Sequence, residues 1–223
     1  MKTLPNKVFN FKSSDKQWHQ RYEDTTAEDY ANFCSPYVCI ICNGKNVGKS
    51  RLAKNIIVHK NPPYEKIVVY SPMETTTEYT DDIDCEMIND INEVYGKFDR
   101  DQRNLFVLDD LDAKALNKKD QKVLCNFLRF ECTHNQIDLI LINQSLYDLL
   151  PICRRIADYI ILFSVPDQEF MKSLAKKFSV ELDDFKYIFK NFITDKHDSL
   201  LIDEKGPPEV RFRKNLFNVI AIK

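Results

Sequence analysis

Glycine is scarce in this 223-residue chain, occurring only as Gly44, Gly48, Gly96 and Gly206. So thin a supply excludes glycine-rich linkers and fibrous repeats, and it leaves glycine for places where backbone geometry demands it. Other absences narrow the field. No apolar run approaches the ~20 residues that a membrane helix needs. The opening stretch MKTLPNKVFNFKSSDK is polar and lacks the apolar core of a signal peptide, so a soluble, cytoplasmic protein with no membrane segment is expected. Charge of one sign is also missing: 32 basic against 34 acidic residues give a net charge of -2, so nucleic-acid contact would need a local patch or an assembled oligomer. The four histidines, His19, His59, His134 and His197, form no cluster in sequence. Of the seven cysteines, only Cys39 and Cys42 have metal-like spacing. In a strand, residues three apart face opposite sides, so buried, reduced thiols are expected there.

What is present is an alternation. At 43% hydrophobic the chain can bury one sizeable core. Apolar runs at Tyr37–Cys42, Ile67–Tyr70, Leu105–Leu108, Ile137–Ile142 and Tyr159–Phe163 predict strands, with a minor one at Cys85–Ile88. Helical spacing is found in Lys49–His59, Ile91–Phe98, Asp120–Cys132, a short turn headed by Pro151, Pro166–Phe178 and Glu181–Phe192. A polar stretch, Glu74–Asp84, reads as a surface loop, and Ser199–Ile202 and Val210–Phe212 as terminal strands. Strands alternating with helices at this spacing predict an α/β fold with a mainly parallel sheet. The expected organisation is an N-terminal arm over 1–34, carrying a short helix around Thr26–Phe33, a core over 35–165, and a C-terminal extension over 166–223. That extension would pack on the core or on a neighbouring subunit.

Two of the four glycines fall in Val38–Ser50, VCIICNGKNVGKS. An apolar run, a polar loop and a helical pattern follow one another there, the order that a triphosphate-binding loop requires. In such a loop, backbone N–H groups at a helix N-terminus cradle phosphate oxygens. Asn43, Gly44, Lys45, Asn46, Val47, Gly48, Lys49 and Ser50 are the candidate binding residues. Lys49 would reach the outer phosphates of ATP, and the Ser50 hydroxyl would hold Mg²⁺. The strict pattern G-x-x-x-x-G-K-[ST] has glycine where this chain has Asn43, a residue that tolerates left-handed backbone angles better than most.

Ligands of open parallel sheets lie outside the carboxyl ends of the strands. Three polar groups stand at those ends. Asp109 is the candidate Mg²⁺ ligand, Asp110 the candidate base for the attacking water, and Gln144 a candidate sensor of that water or the γ-phosphate. Arg154 and Arg155 precede the last apolar run and read as a candidate arginine finger supplied across a subunit interface. Lys118–Lys119 and Lys176–Lys177 read as solvated helix charges that could line a nucleic-acid channel in a ring.

The succession NGKNVGKS, LFVLDD, IDLILINQS and ICRRIADYIILF resembles the viral DNA-packaging ATPases of the poxvirus and virophage type, relatives of the FtsK and HerA translocases. The resemblance covers roughly Val38 to Phe163. It implies a three-layer P-loop NTPase fold and an ATP-hydrolysing motor that assembles as a ring. It also implies movement of double-stranded DNA into a preformed capsid, with capsid proteins as partners, in the host cytoplasm or a viral factory. In that family an arginine precedes the last strand by a few residues, which maps best onto Arg154. A P-loop kinase of small molecules or nucleotides, and a nucleotide-regulated scaffold without turnover, are the alternative expectations.

Overall fold

A computed structural model describes residues 33–72, 79–164 and 167–220. The expected helix around Thr26–Phe33, and with it nearly all of the N-terminal arm, lies outside the described residues. A nine-stranded sheet organises the rest. Its strands are β1 (Val38–Cys42), β2 (Lys66–Tyr70), β3 (Glu86–Ile88), β4 (Asn104–Asp109), β5 (Ile137–Ile142), β6 (Tyr159–Leu162), β7 (Leu200–Asp203), β8 (Phe212–Lys214) and β9 (Asn218–Val219), in spatial order β3-β2-β4-β5-β1-β6-β7-β8-β9. From β3 to β6 every pairing is parallel. From β6 to β9 every pairing is antiparallel.

The helices are α1 (Lys49–Val58), α2 (Lys118–Asn126), α3 (Pro151–Ile156), α4 (Gln168–Phe178) and α5 (Leu182–Asn191). They cover both faces of the sheet and make three layers. Successive residues of β1 feed different layers, as a doubly covered strand requires. Ile40 and Cys42 join Leu124 of α2, Ile152 of α3, Phe170 of α4 and Phe185 of α5. Cys39 and Ile41 join Ala53 and Ile57 of α1 on the other side. Burial pushes the Cys39 and Cys42 thiols well up, so both stay protonated, and their opposite orientations rule out a shared metal.

The central strands take shape where the sequence predicts them, within a residue or two at each end. Three departures have local causes. Ile91–Phe98 has helical spacing, yet only Ile91–Val94 forms a 3-10 turn: Tyr95 is already extended at ψ 135°, and with Gly96 at φ 76° it makes a turn closed by the Lys97 N–H on the Val94 carbonyl at 3.4 Å. The predicted Asp120–Cys132 helix starts earlier, capped by the Asn117 side chain on the Asp120 N–H, and widens into a π turn at Phe127–Glu131 before closing at Cys132–His134. Within the stretch read as a surface loop, Tyr79 is 1% exposed and Ile83 is buried. β7 continues the sheet from β6, while Phe185 and Ile188 of α5 enter the same layer as Leu108 and Leu141.

At the edge where the parallel strands begin, a buried polar cluster closes the sheet. Asp138 of β5 accepts hydrogen bonds from Ser35 Oγ at 2.5 Å, Tyr64 OH at 2.7 Å and the Tyr37 N–H at 3.2 Å, with Lys60 Nζ 3.5 Å away.

Candidate functional site

The opposite edge, where the parallel strands end, carries the predicted site residues. Register places them in a row. Ile41 of β1 pairs with Ile142 of β5, and Ile142 pairs with Asp109 of β4. The next residues along are therefore Cys42 and Asn43, then Asn143 and Gln144, then Asp110. Adjacent strands lie ~5 Å apart, so the loop after β1 and the carboxylates after β4 stand about 10 Å apart across the end of β5. That gap suits a phosphoryl group with a hydrated metal ion.

Four residues of the loop lie in the left-handed region: Asn43 at φ 68°, Gly44 at 86°, Asn46 at 55° and Gly48 at 97°. Asn43 thus adopts the backbone that the strict motif assigns to glycine. Gly44 is required as glycine, since a Cβ there would meet Val47 Cγ1 at 2.9 Å. Val47 is buried in the α1-side layer and anchors the loop. Interleaved left-handed residues make a concave backbone of the kind that gathers N–H groups around an anion. The loop runs directly into α1, whose N-cap Gly48 makes no side-chain cap and whose first turn holds no acidic residue. The first N–H groups of α1 therefore face outward toward an anion, with the positive end of the helix dipole behind them. Lys49 Nζ donates to the Gly44 carbonyl at 2.5 Å, which lays the ammonium across the mouth of the loop. We expect Asn43→Gly to keep ATP affinity within about threefold. Asn43→Val should weaken it roughly tenfold, because forcing a β-branched residue left-handed costs about 1–2 kcal/mol; titration of a fluorescent ATP analogue measures both.

Asp109 and Asp110 have different settings. Asp109 is half-buried and its Oδ2 accepts a hydrogen bond from the buried Tyr79 hydroxyl at 2.9 Å, which fixes the carboxylate at the strand tip. Asp110 is exposed, turns at φ 51°, and donates its N–H to the Ile142 carbonyl at 2.9 Å. Between them and the loop, Gln144 is exposed while Asn143 is buried. Asn143 ties three segments together: its N–H donates to the Ile41 carbonyl at 3.0 Å, its Nδ2 donates to the Leu111 carbonyl at 2.7 Å, and the chain passes from it to Gln144.

Among the described residues no group of three or more His, Cys, Asp or Glu side chains is gathered to hold a metal ion. Mg²⁺ fits this edge nonetheless, since it keeps several waters and takes one or two protein oxygens beside substrate phosphates. Ser50 in the first turn of α1 and Asp109 are the candidate oxygens for it.

The structure does not bring every predicted residue to this edge. Arg154 and Arg155 occupy the last turn of α3, which returns the chain toward the start of β6 and so toward the far edge of the sheet. The Arg154 guanidinium lies 5.6 Å from the centre of the Tyr147 ring, and its carbonyl accepts from Lys177 Nζ at 3.2 Å. Lys118 and Lys119 are exposed in the first turn of α2. Lys177 is paired with Glu204 at 2.7 Å.

Three residues at the site have no motif to announce them: Tyr79, Asn143 and His197. The last is separated from the loop by 150 positions, yet its Nδ1 lies 2.9 Å from the Val47 carbonyl oxygen. The amide before Gln144 was the one readable signal, as a polar residue inside a strand-end pair.

No protein-family model matches the sequence, and no curated protein matches it in sequence. Solved structures do match in three dimensions. The DNA-packaging ATPase B204 from Sulfolobus Turreted Icosahedral Virus superposes with a TM-score of 0.54 at 20% identity, over 75% of this chain and 92% of that one. The genome packaging NTPase B204 of Sulfolobus turreted icosahedral virus 2, in complex with AMPPCP, gives 0.52 at 16% identity over 75% and 92%. The pCW3 conjugation coupling protein TcpA, in its monomer form with ATPγS, gives 0.52 at 12% identity over 84% of this chain and 61% of that one. At such identities what is shared is the fold, a P-loop NTPase fold with a mostly parallel sheet.

Proposed function

We propose that this chain is an ATP-hydrolysing motor that works as a ring of identical subunits and moves double-stranded viral DNA into a preformed capsid. One observation carries the hydrolytic part: the strand bearing Gln144 lies between the strand bearing the phosphate loop and the strand bearing Asp109 and Asp110. A γ-phosphate seated on the loop therefore has an amide and two carboxylates directly across from it. Backbone N–H groups of the loop and of the first turn of α1 bind the phosphates, and Lys49 reaches the outer pair. Ser50 and Asp109 would hold Mg²⁺, which when bound neutralises phosphate charge as bond cleavage proceeds. Asp110, exposed at the turn after β4, accepts the proton of the attacking water, and Gln144 orients that water. Arg154 lies in the last turn of α3 with its guanidinium against Tyr147, and its finger role is assigned to a neighbour's site. The motif order and the likeness in fold to a DNA-packaging ATPase and a genome packaging NTPase support the motor reading.

The test is ATP turnover by the full chain with and without double-stranded DNA, alongside its solution mass. DNA-stimulated turnover by an oligomer is the expected result. Phosphate transfer to a nucleoside monophosphate with no DNA effect would instead identify a kinase, and ATP affinity without turnover a scaffold. Arg154→Ala should bind nucleotide within about twofold of wild type while turnover falls by about 10³ or more, the size of an arginine-finger effect. Mixing Arg154→Ala with Lys49→Ala subunits should restore part of the turnover, because each kind supplies what the other's sites lack. A mixture as inactive as its components would refute action across subunits.

A further inference from the structure

The segment between α5 and β7 touches the phosphate loop through one side chain. Val47 offers a carbonyl oxygen, which can only accept, so the His197 Nδ1 2.9 Å away carries the proton and donates it. In a trans peptide the C=O and the following N–H point in opposite directions. Holding the Val47 carbonyl outward therefore turns the Gly48 N–H to the other side, into the concavity of the loop. The peptide needs such a hold. Its orientation is set by ψ of Val47 and φ of Gly48; Gly48, at φ 97°, accepts either sign of φ with little steric cost, so a contact at the carbonyl is needed to select one orientation.

His197 is itself held firmly. The next residue, Asp198, is buried and accepts from the Thr194 N–H at 3.2 Å, the Asp195 N–H at 3.0 Å, Lys214 Nζ at 2.8 Å and Asn215 Nδ2 at 3.0 Å. Burial opposes ionisation of this carboxyl, but the Lys214 ammonium, the Asp195 N–H and the Asn215 amide outweigh it and keep it below the ordinary carboxylate range. The Ser199 N–H donates to Asn215 Oδ1 at 2.8 Å, which fixes the other flank to the end of β8. The tip that carries His197 is thus pinned to the C-terminal strands.

We infer that His197 is a positioning residue for nucleotide binding: its Nδ1–H clamps the Val47–Gly48 peptide so that the Gly48 amide faces the phosphates. The inference rests on the reading of this loop as a nucleotide site. It makes the C-terminal strands part of the binding apparatus, since Lys214 at the end of β8 and Asn215 just after it set the clamp.

The experiment titrates a fluorescent ATP analogue with Mg²⁺ into full-length wild type, His197→Ala and His197→Asn, and measures saturated turnover and the nucleotide-free melting temperature of each. Losing one neutral hydrogen bond should raise the Kd of His197→Ala about 2- to 10-fold. The side-chain amide introduced by His197→Asn can donate from Nδ2 as the ring does from Nδ1, so that variant should bind within about twofold of wild type. Saturated turnover should change little, because the Gly48 amide meets the phosphates in ground and transition states alike. An alanine variant that binds as wild type does, or an asparagine variant that binds no better than the alanine one, overturns the inference and leaves the site reading intact. Failure of wild type to bind at all overturns both.

Discussion

Lys49→Ala should cut ATP turnover by about 10²–10³ while leaving the fold in place. The ammonium lies across the mouth of the loop, donating to the Gly44 carbonyl, and α1 buries Ala53, Ile56 and Ile57 rather than Lys49. Removing the side chain therefore costs no core packing. What is lost is a positive charge aimed at the phosphoryl oxygens, where charge develops as the bond to the leaving group breaks. Single electrostatic contacts of this kind are worth about 10²–10³ in rate. Lys49 also contributes to ground-state binding, so KM rises as well, and kcat/KM should fall further than kcat. Steady-state kinetics on Lys49→Ala, beside a melting curve unchanged within about 2 °C, would establish this. DNA-stimulated turnover persisting in that variant would remove Lys49, and with it the loop, from the catalytic site.

The second large effect is on stability and lies at the other end of the sheet. Asp138→Ala should destabilise the fold by about 3–5 kcal/mol, the cost of breaking a buried ion pair from one side. Side chains of Lys60 and Asp138 are 3% and 1% exposed. Burial pushes the Asp138 carboxyl up and the Lys60 ammonium down, each toward its neutral form, and their contact opposes both shifts. Truncating Asp138 takes the carboxylate from the Lys60 charge and leaves it the Phe33 carbonyl at 2.5 Å and the faces of Tyr37 and Tyr64. It also deprives Ser35, Tyr64 and the Tyr37 N–H of their acceptor. For a domain of this size the melting temperature should drop by roughly 6–20 °C, at about 2–4 °C per kcal/mol. A shift below about 3 °C in a calorimetric scan, roughly 1 kcal/mol on the same scale, would mean that water enters and replaces the carboxylate. Lys60→Met combined with Asp138→Leu should recover part of the loss, because the hydroxyl and amide donors then lack an acceptor but no charge is stranded.

These two sites differ in how visible they are in the sequence. Asn43 and Asp109 follow an apolar run at once and Gln144 one residue later, and an abrupt change from apolar to polar marks a strand end. Their convergence on one edge could therefore be read before any coordinates. Asp138 sits inside such a run, IDLILI, where one polar letter among aliphatic ones looks like an ordinary strand residue. Its partners Ser35 and Tyr64 are 103 and 74 positions away, and no periodicity links residues so far apart. His197 is invisible for the same reason. Strand order is likewise not written in local patterns, so the placement of β5 between β1 and β4 became evident only from the register. The opposite error occurs at Ile91–Phe98, where helical spacing was overruled by a turn at Tyr95 and Gly96. Tyr79 lies in a stretch polar enough to suggest a surface loop, yet its ring joins the buried layer of Val69, Val107 and Ile142 while its hydroxyl reaches Asp109.

The order of the strands has one more consequence, for self-association. Both rims of the sheet are stunted. β3 has three residues and carries Glu86, which binds Lys66 and Lys97, while β9 at the other rim has two. Rims this short, one of them bearing charge, offer poor templates for adding a foreign strand. Among the described residues, neither sheet rim is therefore a good site for amyloid-like stacking of copies of this chain.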